Sequence, residues 1–295
     1  MNYLKQHLAA LRLLLVMTVI TGVVYPLTVT AVAQIPGLKS RADGSVLSVN
    51  GKPVGSKLLG QAFTDKNGNA LVQYFQSRPS AAGAGAAYDP NTSGASNLGP
   101  ESIVDVLPNP KMKNDAGTQR LLTQVCSRSK AAGALEGVDG MRPYCTAGGV
   151  GAVLAAFYSG PGYAGTVTRV VSVNEACPTM PFLATYKGAK IECGTFGEDY
   201  SKGQVVPIKG SATGSPAVPA DAVTASGSGL DPQISPAYAR LQVARVAKAR
   251  GATDEQVQAL VATNTTGRGL GFLGEPSVNV LELNLTLNQQ YPYHR

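Results

Sequence analysis

Charge is missing from the chain between Leu13 and Ala33, a run of 21 residues, and about 20 apolar residues let a helix cross a bilayer core. The run predicts one transmembrane helix. Small and hydroxyl residues sit in its middle, and Thr21, Gly22, Tyr25 and Pro26 suit a face packed on other membrane helices. The alternative is a cleaved signal peptide, because Ala31-Val32-Ala33 has a small-x-small form. A signal core, however, spans roughly 7–15 residues, and this run is longer. Lys5 and Arg12 precede it while Lys39 and Arg41 follow, so flanking charge leaves the orientation open.

Beyond the span the pattern turns mixed. Ser45-Val46-Leu47-Ser48-Val49 alternates and meets Asn50-Gly51, which predicts a hairpin. Residues 78–100 are loop-like and nearly uncharged. A Gly-rich apolar patch at 147–154 precedes an expected strand at 166–173. Ser235 and Pro236 form an N-cap and first-turn pair for a helix through Leu241, Ala244 and Ala247, stopped by Gly251. Thr253 and Gln256 give the capping-box spacing for a second helix with Val257, Leu260 and Val261 on its apolar face. Leu281, Leu283, Leu285 and Leu287 alternate with polar residues, which favours a strand, although the Leu281/Leu285 spacing also fits a helix.

Composition narrows the function. Lys and Arg number 25 against 18 acids, a net +7, and charged residues make up 15%, below the roughly 25% of an ordinary soluble domain. The two histidines, His7 and His294, lie near the ends, so the body offers none for a Ser/His/Asp triad or a zinc helix. Cys126, Cys145, Cys177 and Cys193 have no metal-site spacing, and no metal is expected. Four cysteines permit three pairings, of which Cys126–Cys145 with Cys177–Cys193 is the simplest; four free thiols in a cytosolic protein are the alternative. Disulfides would place the bulk of the chain outside the cytosol.

Short motifs add little chemistry. Gly269 to Gly274 satisfies GxGxxG but follows a helix rather than a strand, so a turn is expected. Ser127 to Lys130 matches SxxK without the companion motifs. The helix pair around Gly251 carries Arg240, Arg245, Lys248 and Arg250 and has the outline of a helix-turn-helix, but a helical hairpin with a solvated basic face is the plainer reading, and no nucleic acid is expected. Ser226-Gly227-Ser228-Gly229 offers an anion nest or, more simply, a tight turn.

Seven stretches in order carry a resemblance: Thr21 to Leu27, Gly55 to Gln61, Tyr74 to Ser80, Ser96 to Pro100, Thr224 to Pro232, Gln242 to Ala247, and Gly274 to Val280. Together they are similar to the KdpC family, the small C subunit of the bacterial high-affinity potassium-transporting ATPase. The resemblance covers roughly residues 8–105 and 217–290. It implies an α+β fold, one N-terminal transmembrane helix followed by a mixed extracytoplasmic domain; the stretch 106–217, where the family normally has only a short helical connection, departs from that pattern and is read as a disulfide-stapled insertion. The expected divisions are a cytoplasmic segment at 1–12, the membrane helix at 13–33, a soluble domain in two parts at 34–105 and 218–295, and the insertion at 106–217.

The resemblance further implies a non-catalytic accessory subunit in the inner membrane, needed for assembly. It would act as a catalytic chaperone that raises the ATP affinity of a P-type ATPase subunit, beside a channel-like potassium-binding subunit and membrane lipid. No tightly bound cofactor is expected, ATP being reached through the complex; the family proposal for an ATP contact falls on Gln242. Arg78, Ser80, Asn97, Ser226, Ser228, Asp231 and Arg245 are the candidate subunit contacts. An exported disulfide-containing binding protein is the alternative if the Ala33–Gln34 bond is cleaved, and a membrane-tethered DNA-binding regulator is a third reading.

Overall fold

The structure is a computed structural model that describes residues 2–82, 88–94, 100–210, 212 and 215–293. Asn97, His294 and most of the Ser96 to Pro100 stretch lie outside the described residues. The chain divides into two units, one ending at Leu59 and one beginning at Gly60.

The first unit is dominated by the apolar run. Helix α1 (Asn2–Val19) passes through a π turn at Ile20–Val24 into α2 (Tyr25–Ala33), and Tyr3–Ala33 is long and apolar enough to cross a membrane. Pro26 explains the wide turn: it has no N–H to donate back to Gly22, and its ring would crowd that carbonyl. Tyr25 instead donates its N–H to the Ile20 carbonyl, five residues back. The hydroxyls of Thr18, Thr21, Thr28 and Thr30 each bond a carbonyl four residues back, at 2.7–2.8 Å, which satisfies them within the helix as hydrocarbon requires. After a short α3 (Lys39–Ala42), β1 (Val46–Val49) and β2 (Lys52–Ser56) form the expected hairpin. Asn50 and Gly51 turn it at φ of 51° and 75°, the left-handed pair that a tight hairpin demands.

The second unit holds two cores. One sheet has the order β5–β6–β4–β3–β7, built from β3 (Val153–Tyr158), β4 (Val167–Ala176), β5 (Thr185–Tyr186), β6 (Ala189–Gly194) and β7 (Gln204–Pro207). β4 and β6 run parallel, and the other neighbours are antiparallel. Val153 and Ala155 face one side with Val171 and Val173, while Leu154 faces the other with Val170 and Ile191, the two-residue alternation of a sheet covered on both faces. Cys126–Cys145 and Cys177–Cys193 are disulfides.

The other core gathers Phe75, Val223, Ile234, Tyr238, Val246, Leu260, Val278, Leu283 and Leu287. It lies among α5 (Pro236–Leu241), α6 (Val243–Arg250), α7 (Asp254–Thr263) and α8 (Val280–Gln290), and a small sheet in which β10 (Ser277–Asn279) lies between β8 (Gln233–Ile234) and β9 (Thr265–Thr266). Ser235 caps α5 through the Tyr238 N–H, Gly251 ends α6 at φ 65°, and Thr253 with Gln256 forms a complete capping box. Helix α4 (Leu121–Glu136) serves both cores, with Val125 and Ala132 against the helical one and Leu122 against the sheet.

Two expectations are corrected. Leu281 to Leu287 is part of helix α8, whose buried residues are Val280, Leu281, Leu283, Asn284 and Leu287, a face of three-and-four spacing in which one member is polar. The helix expected from Ser235 to Gly251 is interrupted at Gln242, which divides α5 from α6.

Candidate functional site

The segment Val72 to Ser80, a turn at 72–74 running into irregular chain, has few backbone partners of its own and is held by side chains. The Asn284 amide pairs with Phe75, accepting its N–H at 2.9 Å and donating to its carbonyl at 2.9 Å. The Gln242 amide does the same one residue on, accepting the Gln76 N–H at 2.6 Å and donating to the Gln76 carbonyl at 3.1 Å. Arg245 donates to the carbonyls of Val72 (2.6 Å) and Tyr74 (3.0 Å), and Arg250 to that of Gln73 (2.9 Å). Five consecutive residues of this strap are therefore fastened by four side chains from α6, α8 and the α5–α6 junction. The break at Gln242 is what turns its amide onto the strap.

Three of the four fastening groups are themselves fixed. Arg245 also donates to the Gln242 side-chain oxygen Oε1 at 2.9 Å and pairs with both oxygens of Glu136 at 3.0–3.1 Å, in a bridge whose side chains are 9% and 1% exposed. Burial pushes the Glu136 carboxyl above its ordinary pKa, with Arg245 opposing the shift. Arg250 is buried, donates to Tyr291 and Asn288, and lies 4.8 Å above the Tyr74 ring. The basic face expected to be solvated is thus split: Arg240 and Lys248 are exposed, whereas Arg245 and Arg250 point into the fold.

The strap continues into a second cluster. Arg78 pairs with Asp231 at 3.0 Å and donates to the Thr224 carbonyl. Ser80 donates to the Gly229 carbonyl at 2.8 Å, and Ser226 and the strap exchange backbone bonds, Ser226 N–H to Pro79 and Ala81 N–H to Ser226. The Ser226 hydroxyl accepts the Gly229 and Asp231 N–H groups and the Ser228 hydroxyl that of Leu230, which makes this a tight turn closed by its own side chains. Gly229 (φ 78°) is required: a Cβ there would lie 2.1 Å from that of Ala82. The Tyr88 hydroxyl donates to the Arg78 carbonyl, and burial raises its pKa to about 12.

The structure thus brings Arg78, Ser80, Ser226, Ser228 and Asp231 together, with Ser228 bonded to Asp231 at 3.3 Å, and places Arg245 at the strap's other end. Arg78 and Asp231 border an open cleft of about 240 Å³ with Gln233, Glu275 and Ser277. Gln242 is 0% exposed. Among the described residues no cluster of three or more His, Cys, Asp or Glu side chains is arranged to hold a metal. The Ser127 hydroxyl bonds the Gln124 carbonyl and Lys130 the Gly148 carbonyl, so the SxxK pair is engaged elsewhere. Gln76, Asn284, Glu136 and Arg250 are site residues that motif reading missed. Asn279 with Glu282 is an N-cap spacing that marks α8 and so could have found Asn284.

A family model described as "KdpC: K+-transporting ATPase, c chain" matches residues 7–108 and 200–289, which include the whole strap and all four of its fasteners but not Glu136, the partner of Arg245. The chain belongs to the KdpC family. It is 40% identical over 291 residues to a potassium-transporting ATPase KdpC subunit of Kineococcus radiotolerans, covering 99% of this chain and 97% of that protein. It is 37% identical over 283 residues to the KdpC subunit of Rhodospirillum rubrum, covering 96% and 95%. KdpC is a subunit of the potassium-transporting ATPase and not by itself an enzyme. The family match leaves 109–199 uncovered, the stretch that holds all four cysteines, β3 to β6, and α4 with Glu136. A residue outside the family match is therefore the carboxylate partner of Arg245, inside it.

Proposed function

We propose that this chain is the accessory subunit of an ATP-driven, high-affinity potassium uptake complex, and that it raises the ATP affinity of the ATPase subunit without touching the nucleotide. In this reading the uncharged run 13–33 of the helix Tyr3–Ala33 spans the inner membrane, with Thr21, Gly22, Tyr25 and Pro26 packed on the channel-like subunit. The body from Gly60 on lies outside the cytosol, a placement supported by the two disulfides. The observation that carries the indirect role is Gln242: it is fully buried and both ends of its amide are spent on Gln76 and Arg245, so an incoming triphosphate meets no free donor there. Coupling would instead run through the conformational equilibrium of the partner, which typically amounts to about 1–3 kcal/mol. Arg78, Ser80, Ser228 and Asp231, beside the open cleft, are the proposed contacts with neighbouring subunits.

The test is ATP titration of the purified full-length chain at physiological salt, together with a topology reporter fused after Arg295. Negligible binding and an extracytoplasmic reporter support the proposal. Saturable binding abolished by Gln242→Ala, with a cytosolic reporter, restores direct contact.

A further inference from the structure

The GxGxxG segment that proved to be a turn is built in an unusual way for one with no internal task. Gly269 and Leu273 exchange two backbone hydrogen bonds, each 2.8 Å, and Leu270 (φ 52°) and Gly271 (φ 83°) make the reversal. Arg268 pairs with Glu275 at 2.7 Å across the base. On this closed loop Leu270 is 85%, Phe272 69% and Leu273 54% exposed, and none of them joins any of the packed cores of the described residues. A lone exposed leucine is ordinary, but three large apolar side chains within four residues form a patch of the kind that marks an interaction site. Because the loop is already closed by its own hydrogen bonds and ion pair, little further ordering is needed when the patch is covered.

We propose that Leu270, Phe272 and Leu273 form a docking finger that inserts into an uncharged apolar recess on another protein subunit of the transporter. The inference rests on the reading of this chain as an assembled subunit. Charge selects a protein over a lipid surface. Between Gly251 and Tyr293 the only basic residue is Arg268, against Asp254, Glu255, Glu275 and Glu282, and Arg268 is taken up by Glu275. A loop that rests on an anionic bilayer relies on free Lys or Arg beside its apolar residues, and this segment carries net negative charge instead. An aromatic anchor flanked by leucines is also the composition of a protein-interface hot spot.

The experiment uses the full-length chain co-expressed with its partner subunits and purified in detergent through an affinity tag. Phe272→Asp with Leu270→Asp is expected to lower recovery of the partner subunits at least tenfold while leaving the melting temperature of the separately purified chain unchanged, since both side chains face solvent. In parallel, Phe272 replaced by a photo-crosslinking phenylalanine analogue is expected to form an adduct with a partner subunit in native membranes. Full recovery of the partners by the double variant, or an adduct with lipid alone, overturns the docking finger while leaving the subunit reading standing. Failure of the unaltered chain to recover any transporter subunit overturns both.

Discussion

Replacing Gln242 by Ala separates a structural clamp from a nucleotide contact. The side chain makes three hydrogen bonds: two accepted, from the Gln76 N–H and Arg245, and one donated to the Gln76 carbonyl. Gln76 is itself buried, so the truncation strands a backbone donor and a backbone acceptor, each at about 1–3 kcal/mol, and leaves a void where the amide had been. The expected loss is about 3–5 kcal/mol, using the middle of those ranges. At roughly 2–4 °C per kcal/mol for a body of this size, the melting temperature should fall by about 6–20 °C. Gln242→Met keeps most of the volume and isolates the hydrogen-bonding part, and should fall by somewhat less. The chain has no tryptophan, so the melt is followed by far-ultraviolet circular dichroism of the full chain in detergent. An unchanged melting temperature in both variants would refute the clamp.

Glu136→Ala should destabilise the chain by about 3 kcal/mol, because it leaves a buried guanidinium without its carboxylate, and the same melt measures it. Glu136→Gln tests the sign of the pH effect. The folded state holds the Glu136 proton more tightly than the unfolded chain, whose value lies near 4.5, so the associated stability is present in acid and lost as pH rises through the raised folded value; melting from acid to neutral pH should show Glu136→Gln gaining on the wild type. Gly229→Ala should cost about 2–4 kcal/mol through backbone strain and overlap with Ala82, while Gly227→Ala, with open space around it, should melt like the wild type. Gly22→Leu should weaken co-purification with the channel-like subunit by placing a bulky side chain on the wide turn.

Local chemistry was readable where it concerned neighbours in sequence. The apolar span, the Asn50-Gly51 hairpin, the caps at Ser235 and Thr253 and the stop at Gly251 each depend on residues within a few positions of one another, and the structure reproduces them. Helix α8 was misread because Asn284 occupies a place on the buried face where periodicity expects an apolar residue. The polar atom belongs there for a reason 209 positions away, at Phe75. The same distance in sequence hid the roles of Arg245 and Arg250: nothing near them shows that their charges are spent on carbonyls of residues 72 to 74 and on Glu136. Gln242 and Arg78 were found only through the resemblance, and motif matching says which residues matter without saying what they touch.

Fastening the strap from afar also sets an order of events during synthesis. Phe75 and Gln76 wait for Asn284 and Gln242, which follow by 209 and 166 positions, and contacts of such sequence separation are slow to form. The five-stranded sheet and its two disulfides, with cysteine separations of 19 and 16, lie wholly within the interval. As the chain emerges from its N-terminus, the sheet and α4 can therefore assemble first, carrying Glu136 into place before Arg245 has been made. The helical core would then close on a sheet that is already formed, and a chain truncated before α8 should leave that sheet protected from protease while the strap is cut.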